Sequence, residues 1–137
     1  MSTRSGRCMC GAVTFQAEVI GDFSACHCKM CQQWASGLFM GVHTKGFSLT
    51  GGEGAFTRFK SSDWAERAFC SKCGSNIYYH AVDYGHPSVA LGTLDDTTGL
   101  KRTHEYYIDL EPKGLERTNE TETMTEAEAV AFFTGDG

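Results

Sequence analysis

The sequence has little proline, no long hydrophobic run and no excess of basic residues. Only 2 of its 137 residues are proline, and no apolar stretch approaches the ~18 residues that a membrane-spanning helix needs. The formal net charge is −5, and the longest basic run is the pair Lys101-Arg102. Nucleic acids and anionic membranes bind basic surfaces, which this composition does not supply. We therefore expect neither a nucleic-acid partner nor a membrane partner.

The N-terminal stretch also lacks the apolar segment of a secretory signal, because residues 1–10 are mostly polar. We therefore expect a cytoplasmic protein. The 7 cysteines agree with that expectation, since an odd number cannot all pair in disulfides. In a reducing compartment, closely spaced cysteines bind metal more often than they form disulfides.

Length and patterning predict one mainly β domain over residues 1–137, with its core at about 6–133. Apolar residues alternate with polar ones from Val13 to Val19, which predicts a half-buried strand. Short apolar runs between turn residues predict further strands at 38–42, 47–49, 56–60, 64–69, 77–79, 89–91 and 105–110.

Two short helices are predicted, one at about 29–34 after the central cysteines and one near the C-terminus at 127–133. The second follows a capping-box spacing, in which Thr125 caps the helix and Glu128 reaches back to it. We expect this helix to pack on the sheet through Val130, Phe132 and Phe133.

All 7 cysteines fall in three clusters, and these clusters carry most of the functional information. The C-x-C and C-x-x-C spacings let a tight turn direct two thiolates at one point, and a closed zinc site takes about four such ligands. The two outer pairs supply four ligands and the central cluster supplies three. We therefore expect two zinc ions per chain: a structural zinc on Cys8, Cys10, Cys70 and Cys73, and a second zinc with an open position on Cys26, Cys28 and Cys31.

Other interpretations of the cysteines stay open at this point. They are a disulfide framework and a single metal site beside three redox-active thiols. His27 lies inside the central cluster, but its alternation with Cys26 and Cys28 favours a supporting role over metal ligation. The separated histidines His43, His80, His86 and His104 are interpreted as surface or hydrogen-bonded residues.

The cysteine segments carry a resemblance to a known family. Residues 8–13 (CMCGAV), 26–31 (CHCKMC) and 69–75 (FCSKCGS) resemble the glutathione-dependent formaldehyde-activating enzymes, a family that includes centromere protein V. Residues 92–96 and 124–126 add support. The resemblance implies a β-tent-like fold of small sheets held by zinc knuckles. It also implies structural zinc on the outer pairs and catalytic zinc on the central three cysteines.

The function implied by the resemblance is that of a zinc-dependent carbon–sulfur lyase, similar to S-(hydroxymethyl)glutathione synthase. Such an enzyme joins or cleaves a glutathione-like thiol and a formaldehyde-like aldehyde as an S-hydroxymethyl adduct. The alternatives are a non-catalytic zinc module, which carries a thiol or binds a protein partner, and a redox sensor.

A site of three or four thiolates needs nearby positive charge, and its pocket needs walls. The candidate cations are Lys29, Arg58, Lys60 and Lys72, and the candidate wall residues are Trp34, Tyr78 and Tyr79.

Overall fold

The computed structural model describes residues 2–116 and 120–135, and in these residues the strands join into one sheet of eight. The strands are β1 (Ser2–Arg7), β2 (Thr14–Cys26), β3 (Phe39–Gly51), β4 (Phe56–Lys60), β5 (Ala65–Cys70), β6 (Asn76–Ala81), β7 (Ser88–Ala90) and β8 (Lys101–Tyr106). The helices are α1 (Lys29–Ala35) and α2 (Glu126–Thr134), with 3-10 turns at Leu91–Thr93 and Ile108–Leu110. The predicted mainly β class is confirmed.

The strands follow the order β1-β2-β3-β7-β6-β5-β4, and neighbours in this order are antiparallel. The long strand β2 pairs with β3 along one edge, and along the other it pairs first with β1 and then, in parallel, with β8. Cys26, the last residue of β2, lies opposite Phe39 of β3 and Tyr106 of β8. The central cysteine cluster therefore begins where three strands meet.

The core forms on the inner face of this sheet. Val13, Phe15, Ala17 and Val19 are at most 1% exposed, which confirms the alternation seen in the sequence. The Phe15 ring stacks on Phe47 of β3 with centroids 5.0 Å apart. The buried face of β2 thus packs against β3.

Some local predictions are wrong at their boundaries. The runs at 38–42 and 47–49 are parts of the single strand β3, and the strand predicted at 105–110 lies earlier, at Lys101–Tyr106. The strand ends there because Tyr107 adopts a left-handed backbone (φ 57°), and a 3-10 turn follows. Strand β1 is absent from the predictions because its sequence, STRSGR, has no apolar alternation.

The C-terminal helix forms with its predicted capping box, but the prediction that it packs on the sheet is wrong. Val130, Phe132 and Phe133 are 57, 62 and 81% exposed. Part of the physical reason lies in their spacing: Val130 and Phe133 are three apart and share one side of the helix, but Phe132 points to nearly the opposite side, so the three residues form no single stripe. In the described parts of the chain, neither this helix nor α1 is both long and apolar enough to cross a membrane.

The stacking of Phe15 on Phe47 predicts a large loss of stability for the variant Phe15→Ala. Removing a fully buried phenylalanine ring leaves a cavity and lowers the free energy of unfolding by about 3–5 kcal/mol. Phe59→Ala is the matched control, since Phe59 is 61% exposed and its loss changes stability by about 0.5 kcal/mol or less. Urea unfolding of both variants measures the difference, and equal losses would contradict this description of the core.

Candidate metal centres

The structure brings the cysteines together in two groups, Cys8/Cys10/Cys70/Cys73 and Cys26/Cys28/Cys31, and the Sγ atoms of each group lie within 4.8 Å of one another. The Cys8–Cys10 and Cys10–Cys70 sulfur distances are 3.6 and 3.8 Å. Four sulfurs placed tetrahedrally around zinc at ~2.3 Å lie about 3.8 Å apart. The grouping matches the division predicted from the sequence, and both groups could hold a metal ion.

The four-cysteine group joins the loop after β1 to the turn between β5 and β6. Each side of the group contains a glycine with a left-handed backbone, Gly11 (φ 80°) and Gly74 (φ 78°). Their amides donate to the carbonyls of Cys8 and Cys70 at 3.1 and 2.7 Å, which closes the two turns. Since a side chain at either glycine would meet no atom within 4 Å, the positive φ rather than the space explains the glycine.

The three-cysteine group, called the triad below, is built from the end of β2 and the first turn of α1. Cys28 caps α1, and its Sγ accepts a hydrogen bond from the Cys31 amide at 3.3 Å. A hydrogen bond from Cys31, helped by the charge of Arg67, lowers the pKa of Cys26 to about 5. The same bond raises the pKa of Cys31. Of these two thiols, Cys26 is therefore the one that ionises more readily.

His27 supports the triad from behind and lies outside both cysteine groups, as its alternation predicted. Its ring is fully buried, and Nε2 lies 3.1 Å from the Glu105 carboxylate of β8. The Gln32 side-chain amide donates to the carbonyls of His27 and Leu110, at 2.7 and 2.9 Å. These bonds fix the cysteine loop against the residues that follow β8.

A cavity of about 540 Å³ adjoins the triad, and all three of its cysteines line it. This volume is within the range of small-molecule sites. The other lining residues include Lys29 and an aromatic group made of Phe39, Trp64, Tyr79, Tyr106 and Tyr107. Of the candidate cations Lys29, Arg58, Lys60 and Lys72, Lys29 alone belongs to this lining, as does Tyr79 of the candidate wall residues.

Arg67 is a residue of the site that the sequence analysis missed. It is 4% exposed, and its Nη1 donates to Cys31 Sγ at 3.6 Å. The guanidinium lies over the rings of Trp34 and Tyr79, 4.9 and 5.0 Å from their centroids. The sequence contained one signal that could have identified it, because Arg67 is a charged residue two positions after the buried Ala65 in β5.

The charge of Arg67 has no carboxylate partner among the ion pairs of the described residues. An isolated buried cation is strongly unfavourable. The triad could supply the compensating negative charge, since a divalent ion held by three thiolates carries a net −1. Arg67 is therefore suited to be the counterion of a loaded triad.

Taken together, the fold and the sulfur groups define a mainly β protein with two sites that could hold metal. Residues 3–109 match the family of glutathione-dependent formaldehyde-activating enzymes, and the chain belongs to that family. The resemblance noted from the cysteine segments is confirmed.

Two relatives extend the comparison. An uncharacterized lyase of Schizosaccharomyces pombe is 35% identical over 89 residues, which are 64% of this chain and 64% of the relative. The match thus spans less than two thirds of that relative's length. A Rhodobacter sphaeroides protein of known crystal structure superposes with a TM-score of 0.57 at 20% identity, over 72% of this chain and 99% of its own. At this low sequence identity, the similarity to the second relative shows a shared fold alone.

The two groups predict different effects for two cysteine variants of the zinc-loaded protein. Cys10→Ser removes an exposed thiol, so packing barely changes, but the group that joins two distant loops loses one of its four sulfurs. We expect one zinc per chain instead of two and a loss of several kcal/mol of stability. Cys26→Ser also leaves one zinc, with a much smaller loss. Metal analysis measures the zinc content of both variants, and thermal melts measure their stability. A stable Cys10→Ser variant with two zinc ions would contradict the assignment.

The position of Arg67 predicts that it strengthens metal binding at the triad. Arg67→Met removes the positive charge, and we expect the zinc affinity of the triad to fall by about 10- to 100-fold. Arg58→Met is the matched control, because Arg58 also lies over a ring, that of Phe56, but is mostly exposed. Competition with a chromophoric chelator measures the affinity. Equal effects of the two variants would contradict a counterion role.

Proposed function

We infer that this protein is a zinc-dependent carbon–sulfur lyase of the cytoplasm. It would join a thiol and a small aldehyde into an S-hydroxymethyl adduct and cleave that adduct in reverse, with glutathione and formaldehyde as the first pair to test. Membership of the family supports this inference, as does a relative whose name contains the word lyase. A reducing compartment would keep the 7 cysteines free to bind metal.

The observation that carries the proposal is an incomplete ligand set in the wall of a cavity. The triad offers three sulfurs, one fewer than a closed zinc site takes, and it faces about 540 Å³ of space. All-sulfur donor sets suit zinc. Zinc held by Cys26, Cys28 and Cys31 would supply one thing, namely the stabilisation of a substrate sulfur as thiolate at neutral pH.

The protein's own residues would bind and position the reactants. Arg67 offsets the negative charge that accumulates when a further thiolate joins three others. His27 and Gln32 hold the cysteine loop still through their bonds to Glu105 and Leu110. The aromatic residues of the cavity limit the access of water to the reacting sulfur.

The chemistry balances without an oxidant or a reductant. The thiol gives up its proton, and its sulfur attacks the carbonyl carbon of the aldehyde, forming the carbon–sulfur bond. The electron pair of the carbonyl moves to oxygen, which takes up a proton. Cleavage runs through the same steps in reverse, so the enzyme accelerates an equilibrium that also exists in solution.

The test is the rate of exchange between glutathione, formaldehyde and their adduct, followed by magnetisation-transfer NMR. We expect zinc-loaded wild type to exceed the protein-free rate, and Cys31→Ser to match it, because the triad then lacks a ligand. The four-cysteine site is unchanged in Cys31→Ser and should keep its zinc.

A wild type that holds two zinc ions but exchanges at the protein-free rate would contradict the proposal for this substrate pair. That result would favour the non-catalytic alternative, a module that carries a thiol or binds a partner.

A further inference from the structure

The floor of the cavity begins at the triad and ends at His43. Cys26 and Ser24 of β2 lie opposite Phe39 and Gly41 of β3, and His43 follows two residues further along the same face of β3. All five line the cavity. From position 39 to position 43 a strand extends roughly 13 Å. His43 therefore lies too far from the triad to contact the reacting sulfur, but it borders the same space.

Gly41 lies in the middle of this floor, and its lack of a side chain lets Ser88 and Phe39 pack close to it. A Cβ built at Gly41 would lie 3.0 Å from the Ser88 Cβ and 3.1 Å from the Phe39 ring, which is tighter than ordinary contact. The triad and His43 line the same cavity, and an extended molecule can lie along it.

The hydrogen bonds of His43 determine which of its ring nitrogens can bond to a ligand. Nδ1 lies 3.0 Å from Oδ1 of Asp22, and Oδ2 of Asp22 accepts from the Thr103 hydroxyl at 3.0 Å. Burial alone would raise the pKa of Asp22, but the hydrogen bonds from His43 and Thr103 outweigh it and hold that pKa below its usual value.

An ionised Asp22 can only accept hydrogen bonds, so Nδ1 of His43 must carry the proton. None of the hydrogen bonds found in the described ranges uses Nε2 of His43. In the neutral ring this atom keeps its lone pair and can accept a hydrogen bond from a ligand in the cavity.

We propose that His43, oriented by Asp22, recognises the far end of an elongated thiol whose sulfur lies at the triad. Such a thiol carries a hydrogen-bond donor, an ammonium, amide or hydroxyl group, about 10 Å from its sulfur, near the length of an extended three-residue peptide. The part of this proposal that places the sulfur of the thiol at the triad rests on the proposed function. A two-carbon thiol is too short to reach His43, so His43 makes the site selective for long thiols.

The test compares a long and a short thiol on the same protein. Dissociation constants for glutathione and for 2-mercaptoethanol are measured from the absorption of cobalt-loaded protein. We expect His43→Ala to weaken glutathione binding by about tenfold, the effect of one lost hydrogen bond to a polar ligand. Binding of 2-mercaptoethanol should not change. His86→Ala is the matched control, because His86 is exposed and absent from the cavity lining.

Each other outcome overturns the assignment. An equal loss for both thiols would make His43 a structural residue, and no loss for either would place the far end of the ligand elsewhere. A wild type that binds 2-mercaptoethanol but shows no effect of His43→Ala on glutathione contradicts this inference and leaves the proposed function standing. A wild type that binds neither thiol contradicts both.

Discussion

The structure depends on bringing two distant pairs of thiols, Cys8 with Cys10 and Cys70 with Cys73, to one point between the loop after β1 and the β5–β6 turn. Their sulfurs lie within 4.8 Å of one another, and so many thiolates repel unless a cation takes up their charge. Apparent zinc binding energies in small sites, about 10–16 kcal/mol, rival the whole stability of a domain of this size. A metal ion bound at this group would therefore contribute as much free energy as the rest of the fold.

The thiolates of the triad also repel one another, but the protein compensates their charge in a different way. There the protein provides three sulfurs and a buried guanidinium, Arg67, instead of a fourth ligand. That guanidinium lies over the rings of Trp34 and Tyr79, so its position does not depend on a carboxylate. A site of this kind can accept an anionic ligand from the cavity, which is what a thiol-activating enzyme requires.

The sequence predicted the structural features that depend on residues close to one another in the chain. Cysteine spacing predicted both sulfur groups, alternation predicted the buried face of β2, and Thr125 with Glu128 predicted the start of α2. Arg67 and His43 were not predicted as site residues, because their roles depend on contacts across strands far apart in sequence. Arg67 of β5 meets Cys31 of α1, and His43 of β3 meets Asp22 of β2. The exposure of Phe133 likewise depends on where α2 lies.

The central claim is that one metal site is closed and the other accepts the sulfur of a substrate. Cadmium-113 NMR of protein loaded with cadmium in place of zinc tests this claim most directly, since the resonance responds to the number of sulfur ligands. We predict one resonance for each site, and on addition of glutathione a shift of the triad's resonance alone, identified by its loss in Cys26→Ser. Two resonances that both stay in place as glutathione is added would contradict the account.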